Sequence, residues 1–125
     1  MGDLSHWVAV VDDDPSVLKA LARLLRTRGF HAKTFASAQE FIAFLPKGQP
    51  ECLIVDLQMP EMNGLELHQH LIRRGMEIHT IIITAHHDSD LQRRCQAAGV
   101  AAYLLKPLQD TALFAAIANA RRHAD

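Results

Sequence analysis

An alternation of short apolar runs with segments of helical period constrains the fold of this chain more than any other feature. Each of five strand-length runs is followed by a segment in which apolar residues recur every three or four positions. The predicted strands are residues 6–11, 30–35, 52–56, 80–84 and 101–105. Buried strands that are separated by helices form parallel sheets with helices on both faces. The sequence therefore predicts a doubly wound α/β fold.

The helical segments carry their own start and stop signals. Asp14, which precedes a proline, predicts the N-cap of the first helix, and Gly29 stands where a glycine follows a helix end. Ser37 and Glu40 have the spacing of a capping box, and Pro46 predicts the end of the second helix. Three further helices are predicted over residues 64–75, 89–99 and 110–122.

Apolar side chains on these segments define the predicted core. Leu65, Leu67, Leu71 and Ile72 of the third helix are expected to pack inward fully or in part, and Leu113, Phe114, Ile117 and Ala118 of the fifth helix are expected to pack inward. The two cysteines, Cys52 and Cys95, have no metal-binding spacing and lie in apolar patterns. We expect both to be small, reduced core residues, as is usual in a cytoplasm.

Length and charge are typical of a single domain. The chain has 125 residues, enough for one core, and we expect residues 1–125 to form one domain. A net charge of −1 gives no global indication of binding to nucleic acid or to a membrane surface. No apolar stretch approaches the roughly 20 residues of a membrane span. Because the N-terminus resembles no export signal, a cytoplasmic location is predicted.

Chemically active side chains follow four of the five predicted strands. Right-handed crossovers place the carboxyl ends of all strands at one edge of the sheet, where open α/β sheets bind their ligands. In a sheet of order 2-1-3-4-5, strands 1, 3, 4 and 5 are neighbours. Their ends therefore bring carboxylates, a hydroxyl and an ammonium group to a single pocket: Asp12, Asp13, Asp56, Thr84 and Lys106.

This set of side chains fits phosphoryl chemistry around a divalent cation. Asp12, Asp13 and Asp56 offer the oxygen ligands that Mg²⁺ or Mn²⁺ prefers. Lys106 and Thr84 can each hold a phosphoryl oxygen. A carboxylate in the middle of such a clamp is placed to attack phosphorus and form an acyl phosphate.

The same residues lie in motifs of a known family. The stretches "VVDDD", "LIVDLQMPEMNGLEL", "IIITAH" and "AAGVAAYLLKPL" occur in the order found in receiver domains of two-component response regulators, which the whole chain resembles. The resemblance implies a flavodoxin-like (βα)5 three-layer sandwich. It also implies a phosphorylation-driven switch that controls an output, such as transcriptional regulation by an attached or partner effector.

Roles in phosphoryl transfer follow from the resemblance residue by residue. Asp56 matches the phosphoacceptor, and Lys106 matches the lysine that accompanies it. Asp13 is expected to bind Mg²⁺ directly and Asp12 to act through water. Asp56 and the backbone carbonyl of Gln58 complete the expected protein ligands of the metal.

The resemblance also assigns switch and lifetime positions. Thr84 matches the switch hydroxyl, and Tyr103 matches the switch aromatic that moves inward when that hydroxyl engages the phosphoryl group. Gln58 and His86 occupy the positions that tune the lifetime of the acyl phosphate. The peptide bond after Lys106 is expected to be cis.

The partners expected from the resemblance are a sensor histidine kinase or a phosphotransfer protein. Phosphorylation is expected to favour a homodimer through the face made by helix 4, strand 5 and helix 5. DNA binding is expected only through an effector domain absent from this chain, and no membrane contact is expected.

An enzyme is the alternative interpretation, namely a Mg²⁺-dependent phosphohydrolase with an aspartyl-phosphate intermediate. Such enzymes typically carry a second carboxylate two residues after the nucleophile, where this chain has Gln58. The residues therefore favour a domain that catalyses only its own phosphorylation and dephosphorylation.

The histidines give little support to a transition-metal site. His86 and His87 are adjacent, and no cysteine or third histidine stands at a helpful spacing. His68 and His70 are two positions apart on a predicted helix, so they diverge, and both are predicted to lie on the surface.

Overall fold

The computed structural model describes residues 7–123 of the chain, and the side chains of residues 7–121. Strands and helices alternate along these residues. They are β1 (Trp7–Val11), α1 (Pro15–Thr27), β2 (His31–Phe35), α2 (Ala38–Phe44), β3 (Cys52–Asp56), α3 (Gly64–Arg73), β4 (His79–Thr84), α4 (Ser89–Ala97), β5 (Ala102–Leu105) and α5 (Asp110–His123). All five predicted strands and five predicted helices are present, with ends that shift by one or two residues. His6, predicted to begin the first strand, lies outside the described residues.

The five strands form one parallel sheet in the order β2-β1-β3-β4-β5. This is the predicted doubly wound, flavodoxin-like α/β fold. The order of the strands reverses at β1, so the two neighbours of that strand belong to the two halves of the sheet. A ligand crevice opens at such a reversal, above the carboxyl ends of the strands. A ligand site is therefore expected at the loops after β1 and β3.

Alternate side chains of each central strand pack into two separate core layers. On β1, Trp7, Ala9 and Val11 pack on the face covered by α2, α3 and α4. Val8 and Val10 pack on the opposite face, which is covered by α1 and α5. Burial of both faces explains why β1 and β3 are apolar almost throughout.

Side chains cap the N-termini of α1, α2 and α4, the first two at positions predicted from the sequence. Asp14 accepts hydrogen bonds from the Ser16 backbone N–H (2.9 Å) and hydroxyl (2.7 Å), which confirms it as the N-cap of α1. Ser37 Oγ accepts from the Glu40 backbone N–H at the start of α2. At α4, the carboxylate of Asp88 does the same for two backbone N–H groups. Each cap satisfies donors that the first helical turn would leave without partners.

Helix boundaries and faces differ from prediction at three apolar or proline positions. Pro46 does not mark the end of α2. The α-helix ends at Phe44, and a 3₁₀ turn that includes Pro46 follows it directly. A 3₁₀ turn accepts proline near its start, where its missing N–H costs nothing. Ile72 was predicted to pack inward at least in part but is 51% exposed. Ala118 is also exposed, and Ala116 takes its place in the core.

His68 was predicted to lie on the surface and is instead a buried core residue, 4% exposed. Its Nδ1 lies 2.8 Å from the Thr80 hydroxyl on β4, and its Nε2 lies 2.8 Å from the Ala98 carbonyl after α4. His70 is partly buried, and its Nε2 has no hydrogen-bond partner among the described residues. The two side chains do diverge, but His68 shares the sheet-facing stripe of α3 with Leu71, three positions on.

Both cysteines are buried and free, as predicted. Burial raises the pKa of the Cys52 thiol to about 12, which keeps it protonated and unreactive. Within residues 7–123, none of the helices is long and apolar enough to cross a membrane.

Candidate functional site

Three carboxylates meet at the carboxyl edge of the sheet. Asp12 follows β1 directly, Asp13 is next to it, and Asp56 is the last residue of β3. One oxygen from each lies within 4.8 Å of the others. Asp12 is fully buried and Asp56 is 7% exposed, whereas Asp13 is exposed. Such close like charges repel unless a cation lies among them.

Asp12 is held in place through both of its carboxylate oxygens. Oδ1 accepts a hydrogen bond from the Asp14 backbone N–H at 2.9 Å, and Oδ2 accepts one from Lys106 Nζ at 3.0 Å. Its own backbone N–H donates to the Phe35 carbonyl at the end of β2. Asp13 has no hydrogen bond to another residue in the described part of the chain. Its carboxylate is therefore the freer of the two to bind a cation directly.

Lys106 brings a positive charge from β5 to the carboxylates of β1 and β3. Its Nζ lies 3.6 Å from Asp56 as well as 3.0 Å from Asp12. Burial lowers the pKa of Lys106, but the hydrogen bonds and charges of the two aspartates outweigh it and raise the pKa overall. The lysine therefore stays fully charged and neutralises part of the acidic cluster.

The surroundings of Asp56 disfavour the ionised form of its carboxyl group. Burial raises its pKa, and the neighbouring Asp12 raises it further. Lys106 and the backbone N–H of Gln58 act in the opposite direction, and the net shift is still upward. A further positive charge near Asp56 would therefore stabilise its ionised form.

Two backbone features shape the turn after Asp56: a close approach at Gly64 and a positive φ at Glu61. A Cβ on Gly64 would stand 2.8 Å from the Asp56 backbone oxygen, so only glycine lets α3 begin this close to β3. Glu61 has a φ of 70°, and the Met62 N–H donates to the Pro60 carbonyl across it. Neither role was predicted from the sequence.

A capping box fixes the start of α3, and it was not predicted from the sequence. Asn63 Oδ1 accepts from the Glu66 backbone N–H at 2.8 Å, and Glu66 Oε1 accepts from the Asn63 backbone N–H at 2.9 Å. The signal was present as Asn followed three residues later by Glu. Together with Gly64, this box sets where the helix meets the end of β3.

Thr84 lies at the end of β4, next to β3 and β5 in the sheet, and is fully buried. Its hydroxyl donates to the His86 carbonyl and accepts from the His86 backbone N–H, both at 3.2 Å. Its own carbonyl accepts from the Lys106 backbone N–H at 2.8 Å, which ties the ends of β4 and β5 together. The hydroxyl is therefore engaged with its own loop.

Tyr103 lies on β5 and packs, partly buried, against the core layer beneath α4. Its hydroxyl oxygen is fully buried. Burial raises the pKa of Tyr103, and the neighbouring Cys95 and Asp88 raise it further. The ring thus packs against the core, with Cys95 of α4 and Asp88, the N-cap of α4, close to its hydroxyl.

The structure brings the predicted site residues together to different degrees. Asp12, Asp13, Asp56 and Lys106 form one cluster, and Thr84 ends the strand between β3 and β5. Gln58 and His86, the predicted lifetime positions, are exposed in the loops after β3 and β4. The bond between Lys106 and the next residue is cis, as expected.

Comparison with known proteins identifies the family. Residues 8–118 match the response regulator receiver domain family. The chain belongs to this family. The receiver domain has the fold and strand order that the resemblance implied, and it is a signalling module of the two-component type. Its acidic pocket occupies the carboxyl edge of the sheet.

Transcriptional regulators are among its relatives. Over 118 residues the receiver domain is 38% identical to the transcriptional regulatory protein FixJ of Rhizobium meliloti strain 1021, covering 94% of this chain and 58% of FixJ. Over 120 residues it is 36% identical to the response regulator protein TmoT of Ectopseudomonas mendocina, covering 96% of this chain and 54% of TmoT. The chain therefore spans about half the length of these relatives.

Solved structures of related proteins have the same fold. The crystal structure of FixJ-N superposes with a TM-score of 0.87 at 37% identity, covering 98% of this chain and 97% of that one. Full-length FixJ from B. japonicum superposes with a TM-score of 0.89 at 31% identity, covering 98% of this chain and 61% of that one.

Proposed function

We propose that residues 1–125 form one receiver domain that accepts a phosphoryl group on Asp56 from a sensor histidine kinase or a phosphotransfer protein. One observation carries this proposal: a buried carboxylate with a raised pKa lies among two further carboxylates and one lysine. The donor's phosphorus–nitrogen bond breaks as a bond forms between phosphorus and an Asp56 oxygen. The electron pair of the broken bond stays on the imidazole nitrogen.

The acidic cluster fits Mg²⁺ or Mn²⁺ by the chemistry of its donors. Three carboxylates and one lysine leave excess negative charge, and hard oxygen ligands suit these cations. Since both oxygens of Asp12 already accept hydrogen bonds, Asp13 is the better direct ligand and Asp12 acts through water. Asp56 and the Gln58 backbone carbonyl complete the protein ligands. The cation supplies charge stabilisation for the phosphoryl oxygens.

Two side chains position the phosphoryl group from the strands beside Asp56. Lys106 already lies 3.6 Å from the Asp56 carboxylate and can hold a phosphoryl oxygen without moving far. Thr84 can hold another once its hydroxyl leaves the backbone of His86. Both groups lower the free energy of a transition state that is rich in negative charge.

The conformational switch runs from Thr84 to Tyr103. Release of the Thr84 hydroxyl from its own loop would change the packing of the loop against the Tyr103 ring. The surface made by α4, β5 and α5 then changes, and it is the face through which the domain forms a homodimer or contacts an effector. The output is transcriptional regulation through an effector, which would also be the part that contacts DNA. The domain acts in the cytoplasm and has no role at a membrane.

Gln58 and His86 set how long the acyl phosphate lasts. Both side chains are exposed in the loops that follow Asp56 and Thr84, and we infer that they admit or exclude the attacking water. Substitution of either residue should change the dephosphorylation rate more than the phosphorylation rate. The domain therefore catalyses steps on its own carboxylate and turns over no external substrate.

Stoichiometric labelling separates this function from that of a phosphohydrolase. The domain is incubated with Mg²⁺ and acetyl phosphate, and intact mass and released phosphate are both measured. One added phosphoryl group per chain is expected, lost in Asp56→Asn and retained in Asp110→Asn, which changes an exposed carboxylate on α5. Sustained release of phosphate from small phosphomonoesters, or labelling of Asp56→Asn, would contradict the proposal.

A further inference from the structure

A groove of about 630 Å³ runs between α1 and β2, on the side of α1 that faces the edge strand of the sheet. Leu18 and Ala22 give it an apolar lining, and Thr34 of β2 lines it from the strand. The charged residues that line it are three cations of α1: Lys19, Arg23 and Arg26. The groove is thus apolar inside and positively charged along one wall.

The three cations form a continuous stripe. They stand at four- and three-residue spacing, so they share one side of α1 and span about 10 Å along it. All three are exposed. Arg26 Nη2 donates to the Ala32 carbonyl at 3.3 Å and so links α1 to β2. Neither Lys19 nor Arg23 forms an ion pair with another residue in the described ranges, so their charges are available to a partner.

The sequence around the groove is basic far beyond this stripe. Residues 15–39 contain no Asp or Glu, and their five Lys and Arg residues are Lys19, Arg23, Arg26, Arg28 and Lys33. The whole chain has 13 basic and 14 acidic residues, so its net charge of −1 conceals a strongly positive side. Potentials of this kind steer oppositely charged partners toward one face of a protein.

We propose that the α1–β2 groove is a docking site for an acidic, partly apolar segment of a partner protein. Carboxylates of the segment would pair with Lys19, Arg23 and Arg26, and an apolar side chain would pack against the partly buried Leu18. A concave groove with an apolar lining suits a peptide segment better than a nucleic-acid duplex, which is held mainly through its phosphates. None of the described hydrogen bonds or ion pairs of the acidic pocket involves these three cations, and we expect the site to act independently of phosphorylation at Asp56.

The test uses a short synthetic peptide in which Glu recurs at three- and four-residue spacing with Leu between. Amide chemical shifts of the full chain are followed by NMR as the peptide is added, and the Kd is fitted. We expect shifts that map to α1 and β2, and a Kd that weakens as salt is raised. The same peptide with Gln in place of Glu should bind about tenfold more weakly or not at all.

Variants of the chain test the charges and the groove separately. Lys19→Glu with Arg23→Glu should weaken the peptide by about tenfold or more, since two attractive contacts become repulsive. The matched control, Arg73→Glu with Arg94→Glu, makes the same charge change on α3 and α4 and should leave the Kd within about twofold. Thr34→Trp keeps every charge but fills the groove, and it should also weaken binding.

Three results would overturn the proposal. They are equal binding of the Glu and Gln peptides, equal weakening by the two charge-reversal pairs, and tighter binding of a short DNA duplex to the same residues. Asp56→Asn should bind the peptide like the unaltered chain. Loss of labelling at Asp56 therefore bears only on the phosphoryl-transfer proposal, and loss of peptide binding bears only on this one.

Discussion

At the scale of single residues, the Asp56 carboxylate is in conflict with its surroundings. Burial and the nearby Asp12 disfavour its ionised form, and Lys106 compensates only in part, so the pKa of Asp56 stays raised. Folding therefore works against ionisation at this position. The favourable contribution of the protonated form is complete below the ordinary carboxyl pKa of about 3.9 and is lost as the pH rises through the raised pKa.

Replacement of this charge by a neutral isostere should therefore stabilise the fold. We expect Asp56→Asn to unfold about 2–8 °C higher than the unaltered chain at neutral pH without divalent cations. The gain should shrink as the pH falls through the raised pKa of Asp56, because the unaltered chain then becomes neutral at this position too. Thermal unfolding followed by circular dichroism between pH 4 and pH 8 measures both effects.

Asp110→Asn is the control for this experiment, because Asp110 is exposed and is not one of the three clustered carboxylates. Its melting temperature should differ little from that of the unaltered chain at every pH. A lower melting temperature for Asp56→Asn at neutral pH, or a gain that does not vary with pH, would show that Asp56 is not under electrostatic strain.

The positions of some single residues could be predicted from the sequence, and those of others could not. The acidic and basic members of the pocket were predictable, because parallel strands bring their carboxyl ends to one edge. His68 was not, because its distance from His70 showed that the two side chains diverge but not which of them faces the sheet. That choice depends on how α3 is rotated against β4, where Thr80 supplies a partner for the ring.

At the scale of elements, the start of α3 determines where the end of β3 can lie. The Gly64 N–H donates to the Leu57 carbonyl at 3.1 Å, and its Cα lies against the Asp56 backbone. The capping box of Asn63 and Glu66 fixes the same turn from the helix side. The position of the candidate phosphoacceptor therefore depends on a close contact between backbone segments.

Gly64→Ala should disturb this contact although alanine favours helices. Its Cβ would lie 2.8 Å from the Asp56 carbonyl oxygen, so one of the two segments has to shift. We expect a loss of about 1–3 kcal/mol in the free energy of unfolding, measured in urea, together with slower labelling by acetyl phosphate.

Gly75→Ala separates this clash from an ordinary glycine effect. Gly75 has a φ of 74° and no atom within 4 Å of an added Cβ, so alanine there is unfavourable only through its backbone conformation. It should cost about 1 kcal/mol and leave the labelling rate unchanged. If both variants label at the unaltered rate, the approach of α3 does not position Asp56.

Element faces were predicted less well than element types. Apolar period showed where helices lie, but Ile72 and Ala118 occupy the borders of their stripes, and a stripe does not reveal how wide a contact the sheet offers. Ile72 is 51% exposed although its neighbour Leu71 is buried, whereas Ala116 and Ala120 of α5 complete the inner layer. Such borders depend on the angle at which a helix crosses the sheet.

At the scale of the whole molecule, the two core layers stabilise the fold, whereas repulsion at the acidic edge opposes it. Apolar strands buried on both faces specify the sheet and its helices, which is why the fold class was predictable from the alternation of elements alone. Repulsion among the carboxylates at the charged edge opposes folding instead. Proteins commonly break local rules at functional sites, and the cluster of Asp12, Asp13 and Asp56 fits that pattern.

Divalent cations should therefore stabilise the entire fold through this edge. A ligand that binds only the folded state adds about 2.7 kcal/mol when its free concentration is 100 times its Kd. We expect Mg²⁺ to raise the melting temperature of the unaltered chain and of Asp110→Asn equally, and to raise that of Asp13→Asn much less. The gain should be larger at neutral pH than near pH 4, because protonated carboxyls are poor ligands. Equal stabilisation of Asp13→Asn would place the cation elsewhere, since Asp13 is the carboxylate left free to bind it directly.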